Sequence, residues 1–256
     1  MIHYKCRMSA IGFLLTAVCL STQAEVIVLA ADQWCPYNCV PETEYPGYVV
    51  EVAREVFAQH NIQVKYINQP WSRVLRNVSM GDVNGAIAAT KEELPNAVYP
   101  EEPMGLYRKE FFALKDSDWT YNGIESLDSQ LVGVNQDYNY GDPLNQYIEA
   151  NKLKNIVVLK GGNLANRQLK MLMKKRTTVY LEDANVVLFS AMNLNFKNNI
   201  KQVGESGDQF ELKIGFSSKH PKSEYYSRIL SEGIISLKAS GRYKEILSRY
   251  GVVLSD

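Results

Sequence analysis

Histidine and cysteine are scarce, with three of the first and four of the second in 256 residues. Beyond the N-terminal segment only His60 and His220 remain, far apart in the chain. They suggest no Ser-His-Asp or Cys-His catalytic set and too few ligands for a zinc site, so no metal or other cofactor is expected. There is no excess of either charge, with 28 basic and 28 acidic residues. No Lys/Arg-rich run is present, which argues against a nucleic-acid partner. No low-complexity tract interrupts the chain, so disorder is not its main state. A long apolar run is missing too: Ile11 to Leu20 is about half the ~20 residues that a membrane span needs. Gly161-Gly162 alone is too little for a phosphate-binding loop.

That short apolar run has the form of a secretory leader. Lys5 and Arg7 precede it, and Thr22 and Ala24 supply the small residues of a cleavage site after Ala24. Val18 before Cys19 is branched where lipoprotein cleavage wants a small residue. Residues 1–24 are therefore read as a signal peptide and the mature protein as periplasmic. Cys6 and Cys19 leave with the leader. Cys35 and Cys39 then stand alone in an oxidising compartment, and the spacing predicts a local disulfide between them.

The mature chain alternates strand and helix patterns. Val26 to Ala31 is a short apolar, β-branched strand. A helix opens at Gly47, with Val49, Val52, Ala53 and Val56 on one face. Strand, helix and strand follow at 62–67, 71–80 and 85–89, the order of a largely parallel, doubly wound α/β sheet. The pattern repeats from Phe111, with strands at 131–134, 156–159, 178–181, 200–203 and 212–216. A helix is expected to start at Asp142-Pro143, Asp142 as its N-cap and Pro143 in its first turn. The C-terminal helices need a sheet to cover, so the second unit reads as inserted into the first. The expected division is lobe 1 at 25–114, lobe 2 at 115–210 and a return to lobe 1 at 211–256.

Several pieces stand in a set order and spacing: Trp34-Cys35-Pro36-Tyr37, Gly47-Tyr48-Val49-Val50-Glu51, Pro70-Trp71-Ser72-Arg73, Gly81-Asp82-Val83-Asn84-Gly85, Ser126-Leu127, Gly133-Val134, Tyr138-Asn139-Tyr140-Gly141, Tyr180-Leu181-Glu182-Asp183, Ile214-Gly215-Phe216-Ser217 and Gly241-Arg242-Tyr243. Together they resemble the bacterial extracellular solute-binding proteins of family 3, the polar amino-acid type. The resemblance implies a two-lobed type II periplasmic binding fold, each lobe a mostly parallel sheet flanked by helices. It further implies a monomer that closes on a small-molecule ligand and serves an ABC permease. One departure matters. Where amino-acid binders of this family resemble Thr-x-x-Arg, the Arg gripping the ligand carboxylate, this chain reads Thr90-Lys91-Glu92-Glu93. Asp183 matches the acid that takes the ligand ammonium, so half of that clamp is present.

Ligands of such sheets bind beyond the carboxyl ends of the strands. The candidate contacts are therefore Trp34, Tyr37, Trp71, Arg73, Thr90, Lys91, Tyr138, Asn139, Tyr140 and Asp183. Each has a plainer alternative: core packing for the aromatic residues, solvation for Arg73 and Lys91, helix capping for Asp183. The loop at 138–140 precedes a helix N-terminus that can hold an anion. The retained acid and the rings suit a cationic or ring-bearing ligand. A rival on the same fold, an enzyme resembling cyclohexadienyl or arogenate dehydratases, would use Glu93, Glu182 or Asp183 as acid or base. A ligand-sensing accessory of a membrane sensor is a third reading.

Overall fold

A computed structural model describes residues 24–252. The expected leader, with Cys6 and Cys19, lies outside the described residues apart from Ala24. The first lobe opens with strand β1 (Glu25–Ala31), helix α1 (Tyr48–Ala58), strand β2 (Ile62–Asn68), helix α2 (Trp71–Met80) and strand β3 (Gly85–Ile87). β1 is the centre of this sheet and is apolar on both faces from Leu29 onward, because helices cover both sides. α1 buries Val49, Val52, Ala53, Val56 and Phe57, each large side chain worth about 1.5–3 kcal/mol of burial.

The second lobe contains β4 (Leu106–Leu114), β5 (Val132–Asn135), α3 (Leu144–Asn151), β6 (Ile156–Leu159), α4 (Leu164–Met173), β7 (Val179–Glu182), α5 (Ala184–Asn193) and β8 (Ile200–Glu211). The chain then returns through β9 (Ile214–Phe216), α6 (Ser223–Ala239) and α7 (Arg242–Ser248). One sheet has the order β2-β1-β3-β9 and the other β6-β5-β7-β4-β8. The inner pairs β1–β2, β1–β3, β5–β6 and β5–β7 are parallel, while β9, β4 and β8 join antiparallel. This is the expected two-lobed α/β architecture.

The boundary expected after Leu114 needs correction. β4 pairs along its length with β8 and β7, so it belongs to the second sheet and the first crossing precedes Leu106. Sequence patterning started this strand at Phe111, because the charged run Arg108-Lys109-Glu110 masks its first half. The two crossing segments run side by side: Met104 N–H donates to Leu212 C=O at 2.8 Å, and Leu212 N–H to Gly105 C=O at 2.9 Å. A second correction concerns α3. It begins at Leu144 behind Pro143, and the Asp142 side chain makes no cap hydrogen bond. The Asp142–Pro143 peptide is cis, as is Cys35–Pro36.

Candidate functional site

The loop after β1 is built as a platform. Trp34 N–H bonds Asn38 C=O at 2.7 Å, and Asn38 Nδ2 returns to the Asp32 carbonyl at 2.6 Å. Cys35 and Cys39 are joined by a disulfide across a Cα separation of 4.7 Å. The first amides of α1 close the platform from outside, with Tyr48 N–H on Pro36 C=O and Val49 N–H on Tyr37 C=O. Only glycine fits at position 47, where φ is +109° and a Cβ would lie 2.4 Å from the Tyr37 carbonyl oxygen. The platform holds Trp34 and Tyr37 stacked, ring centroids 4.3 Å apart, and both are buried.

Between the lobes lies a small cavity of about 20 Å³, room for about one water in the lobe arrangement seen here. Its first-lobe wall is Asp32, Trp34, Asn38, Trp71, Ile87, Ala88 and Glu93; the second-lobe strand β4 gives Tyr107 and Lys109, and the loop after β5 gives Tyr138 and Asn139. The lobes are bonded to each other around it. Tyr138 Oη donates to Asp32 and Asn139 N–H to Glu93, the latter at 3.1 Å. Trp34 Nε1 reaches Glu182 at 3.1 Å, and Tyr37 Oη donates to Asp183 at 2.9 Å. Asn185 Nδ2 donates in turn to Tyr37 Oη at 3.0 Å. Tyr138 is common ground, packing against three separate apolar clusters from both lobes.

Acid dominates the charge around this space. Glu93 accepts from Trp71 Nε1 at 3.0 Å, Thr90 N–H at 2.9 Å and Asn139 N–H. Burial pushes its carboxyl above the ordinary range, and the N–H donors pull the other way. Burial likewise pushes Asp32 up to about 7, against the pull of its Tyr138 bond; the charges of Glu182 and Glu93 add to the rise. Asp183 also rises to about 7, through burial and then the charge of Glu182. Glu182 is wholly buried and receives five donors: Trp34 Nε1, Lys109 Nζ, the Asp183 amide, Asn135 Nδ2 and Tyr180 Oη.

Among the described residues Lys109 is the one cation lining the cavity. It is 2% exposed and lies 3.0 Å from Glu182. Its ammonium sits 5.1–5.4 Å from the ring centroids of Trp34, Tyr107, Tyr138 and Tyr140. That is the distance at which ring faces attract a cation.

Of the ten expected contacts, Trp34, Trp71, Tyr138 and Asn139 line the cavity. Tyr37, Tyr140, Thr90 and Asp183 are buried one layer behind it. Tyr37 backs Trp34, Tyr140 backs Lys109, and Thr90 holds Glu93 and Asn139. Asp183 does cap α5, accepting from Val186 N–H at 3.2 Å, while also bonding Tyr37. Arg73 and Lys91 are elsewhere. Arg73 is exposed on α2, because Trp71 and Val74 take the inward positions of that helix turn. Lys91 is exposed beside an outer hollow with Gln209 to Glu211 and Lys213. Nor does α3 line the cavity, so its N-terminus does not meet the space as an anion site.

Asp32, Asn38, Tyr107 and Lys109 were missed. Asp32 lies just past β1, where strand ends point at ligands. Lys109 shares the two-residue alternation of Tyr107, Phe111 and Ala113, all buried, so a longer strand would have marked it as inward-facing.

A model of the bacterial extracellular solute-binding proteins, family 3, matches residues 26–253. No curated protein sequence matches. Among solved structures, a histidine kinase sensor domain with similarity to periplasmic binding proteins has TM-score 0.74 and 20% identity, over 91% of this chain and 99% of that one. An ancestral arginine-binding protein bound to arginine has TM-score 0.72 and 16% identity, over 89% of this chain and 99% of that one. A structure on glutathione import through GshT and the cystine ABC importer of Streptococcus mutans has TM-score 0.75 and 16% identity, over 91% and 98%. At these identities the likeness is one of fold.

Proposed function

The chain belongs to the bacterial extracellular solute-binding proteins, family 3, and we propose that it captures a small ammonium-bearing metabolite between its lobes, an amino acid or a related cationic or ring-bearing compound. One observation carries this reading. The interlobe cavity draws its wall from both lobes and sets Asp32 and Glu93 beside Trp34, Trp71, Tyr107 and Tyr138. Carboxylates attract an ammonium and ring faces stabilise it. A ligand touching both walls favours the closed form by its differential affinity for that form.

The protein acts as a receptor and leaves its ligand unchanged. Of the carboxyls that could act as acid or base, Asp183 caps α5 and accepts from Tyr37 behind the cavity, and Glu182 is held by five donors. It is exported with cleavage after Ala24 and delivers to an ABC permease. The arginine-binding and glutathione-import structures of the same fold support a transport role. The sensor-domain structure supports a second partner, a membrane sensor, and genes beside this one distinguish the two: a permease and ATPase, or a sensor protein.

The test is a thermal-shift screen of amino acids, polyamines, small carboxylates and sugars. A ligand at 100 times its Kd adds about 2.7 kcal/mol, a rise of several degrees for a protein this size. The expected hits carry an ammonium group and return unaltered by mass spectrometry. Hits confined to sugars or ammonium-free acids would refute the reading, and a chemically altered hit would make the protein an enzyme.

A further inference from the structure

We propose that Lys109 is the anchor for an anionic oxygen, so that the cavity takes a zwitterion with its ammonium on Glu93 and Asp32 and its carboxylate on Lys109. The inference rests on the receptor reading above and names its ligand class.

The ammonium of Lys109 has three hydrogens to donate. Among the described residues one acceptor lies within hydrogen-bonding range, Glu182 at 3.0 Å. The side chain is nearly fully buried, yet it lines the cavity. Four ring faces surround the nitrogen, and none offers a lone pair comparable to that of an oxygen acceptor. Donor capacity therefore remains toward the small cavity that Lys109 lines. Leaving buried donors unmade is costly, and an incoming carboxylate oxygen would satisfy them.

The cation is also held in place without a ligand. Glu182 fixes its position, and is itself fixed by four further donors. The strand carries Lys109 at a set register between Tyr107 and Phe111, both buried. A preset cation loses little freedom when it binds, which favours affinity. The other charged groups lining the cavity, Asp32 and Glu93, would repel a carboxylate brought to their wall. They accept an ammonium instead. The polarity of the cavity is thus acid on the first lobe and base on β4. At about 20 Å³ the space is too small for a zwitterion while the lobes are bonded as here, so the ligand enters as they part and bridges the two walls when they close on it again.

Neither Arg73 nor Lys91 competes for this role, since both are exposed and away from the cavity. A simple amine, by contrast, would satisfy the acidic wall but leave the free donors of Lys109 facing its apolar tail.

The experiment is isothermal titration with matched pairs, an amino acid and the same molecule without its carboxylate: glycine and methylamine, L-arginine and agmatine, L-lysine and cadaverine, L-phenylalanine and phenethylamine. In the wild-type protein the pair that binds should favour the amino acid by about tenfold to a hundredfold, the size of one charge-assisted hydrogen bond. Lys109→Met alone would orphan the buried Glu182, so it is paired with the double variant Lys109→Met/Glu182→Gln, which removes both charges. In the double variant the ratio within a pair should fall toward one. Wild-type protein that binds the amine as tightly as the amino acid would overturn the inference and leave the receptor reading standing. A double variant that keeps the wild-type ratio would do the same, and would reduce Lys109 to the counter-ion of Glu182. If no member of any pair binds wild-type protein, the inference and the ammonium-receptor reading fall together.

Discussion

Tyr138 of the second lobe donates its phenolic hydrogen to Asp32 of the first, with the oxygens 2.5 Å apart. The bond crosses the cleft beside the cavity, and its acceptor is a carboxyl that burial raises to about 7 from an ordinary 3.8. Lobe closure and the protonation of Asp32 are therefore linked, because the closed form keeps this group out of water.

That linkage sets a pH dependence. The folded, closed protein holds a proton on Asp32 more tightly than the unfolded chain, and Asp183 behaves likewise, also rising to about 7. The stability these groups contribute is fully present below the unfolded value near 3.8 and is lost as pH rises through about 7. Each pH unit in that interval removes at most about 1.4 kcal/mol per carboxyl. Ligand-free protein should melt at a lower temperature at pH 8 than at pH 5.5, and Asp32→Asn should flatten the profile. An Asp32→Asn profile parallel to the wild type would detach this group from closure.

Tyr138→Phe keeps the ring, its packing and its face toward Lys109, and deletes only the hydroxyl. Loss of one hydrogen bond of about 0.5–1.5 kcal/mol should shift the lobes toward opening by a factor of roughly two to ten. Small-angle scattering of the ligand-free variant should give a larger radius of gyration than the wild type, and a bound ligand should restore the compact value. Identical scattering curves would show that this bond does not hold the cleft.

Glu93→Gln tests the acidic wall. Two of its N–H donors converge on Oε1 and the third on Oε2, so an amide can satisfy one side but not both. Binding of an ammonium-bearing screen hit should weaken by about 1.5–3 kcal/mol, the scale of a hydrogen bond to a charged group. Lys91→Ala should change affinity by less than about 0.5 kcal/mol, as expected for a surface substitution away from the site. The reverse pattern, with Lys91 decisive, would move the ligand to the outer hollow.

Cys35 and Cys39 close a loop of a few residues, so the cross-link should contribute about 2 kcal/mol, toward the low end for disulfides. Native, unreduced protein should show no thiol from either cysteine to a thiol reagent. Cys35→Ser/Cys39→Ser should lower the melting temperature by several degrees. Because Cys35 adjoins Trp34 and the Trp34–Asn38 backbone bond lies within the bridged turn, near-ultraviolet circular dichroism of that ring should weaken too. An unchanged melting temperature would mean that the backbone bonds of the platform suffice without it.

The sequence by itself determined the parts of this protein that depend on local pattern. Apolar β-branched runs and 3.6-residue periodicity give the α/β alternation, because burying one face of each element leaves few other layouts. The cysteine spacing gave the bridge, and the position of Trp34, Trp71 and Tyr138 past strand ends put them at the cleft, where a parallel sheet presents its loops. Glu93 was legible as a departure from an expected arginine, but its direction was not. Only the tertiary structure turned it into the cavity, through three N–H donors from two lobes that are far apart in the chain. It also decided against Arg73 and Lys91, whose exposure depends on which face of α2 packs and how the chain turns after Thr90. Lys109 shows the reason most plainly. A lysine amid Arg108 and Glu110 reads as a solvated run, and the alternation with Tyr107 and Phe111 could mark it as inward-facing but could not name its charge partner. Its ammonium is buried because β4 pairs with β7 and β8, which brings Glu182, 73 residues away, to within 3.0 Å. Long-range strand pairing, and the charge partner that comes with it, is what local pattern does not encode.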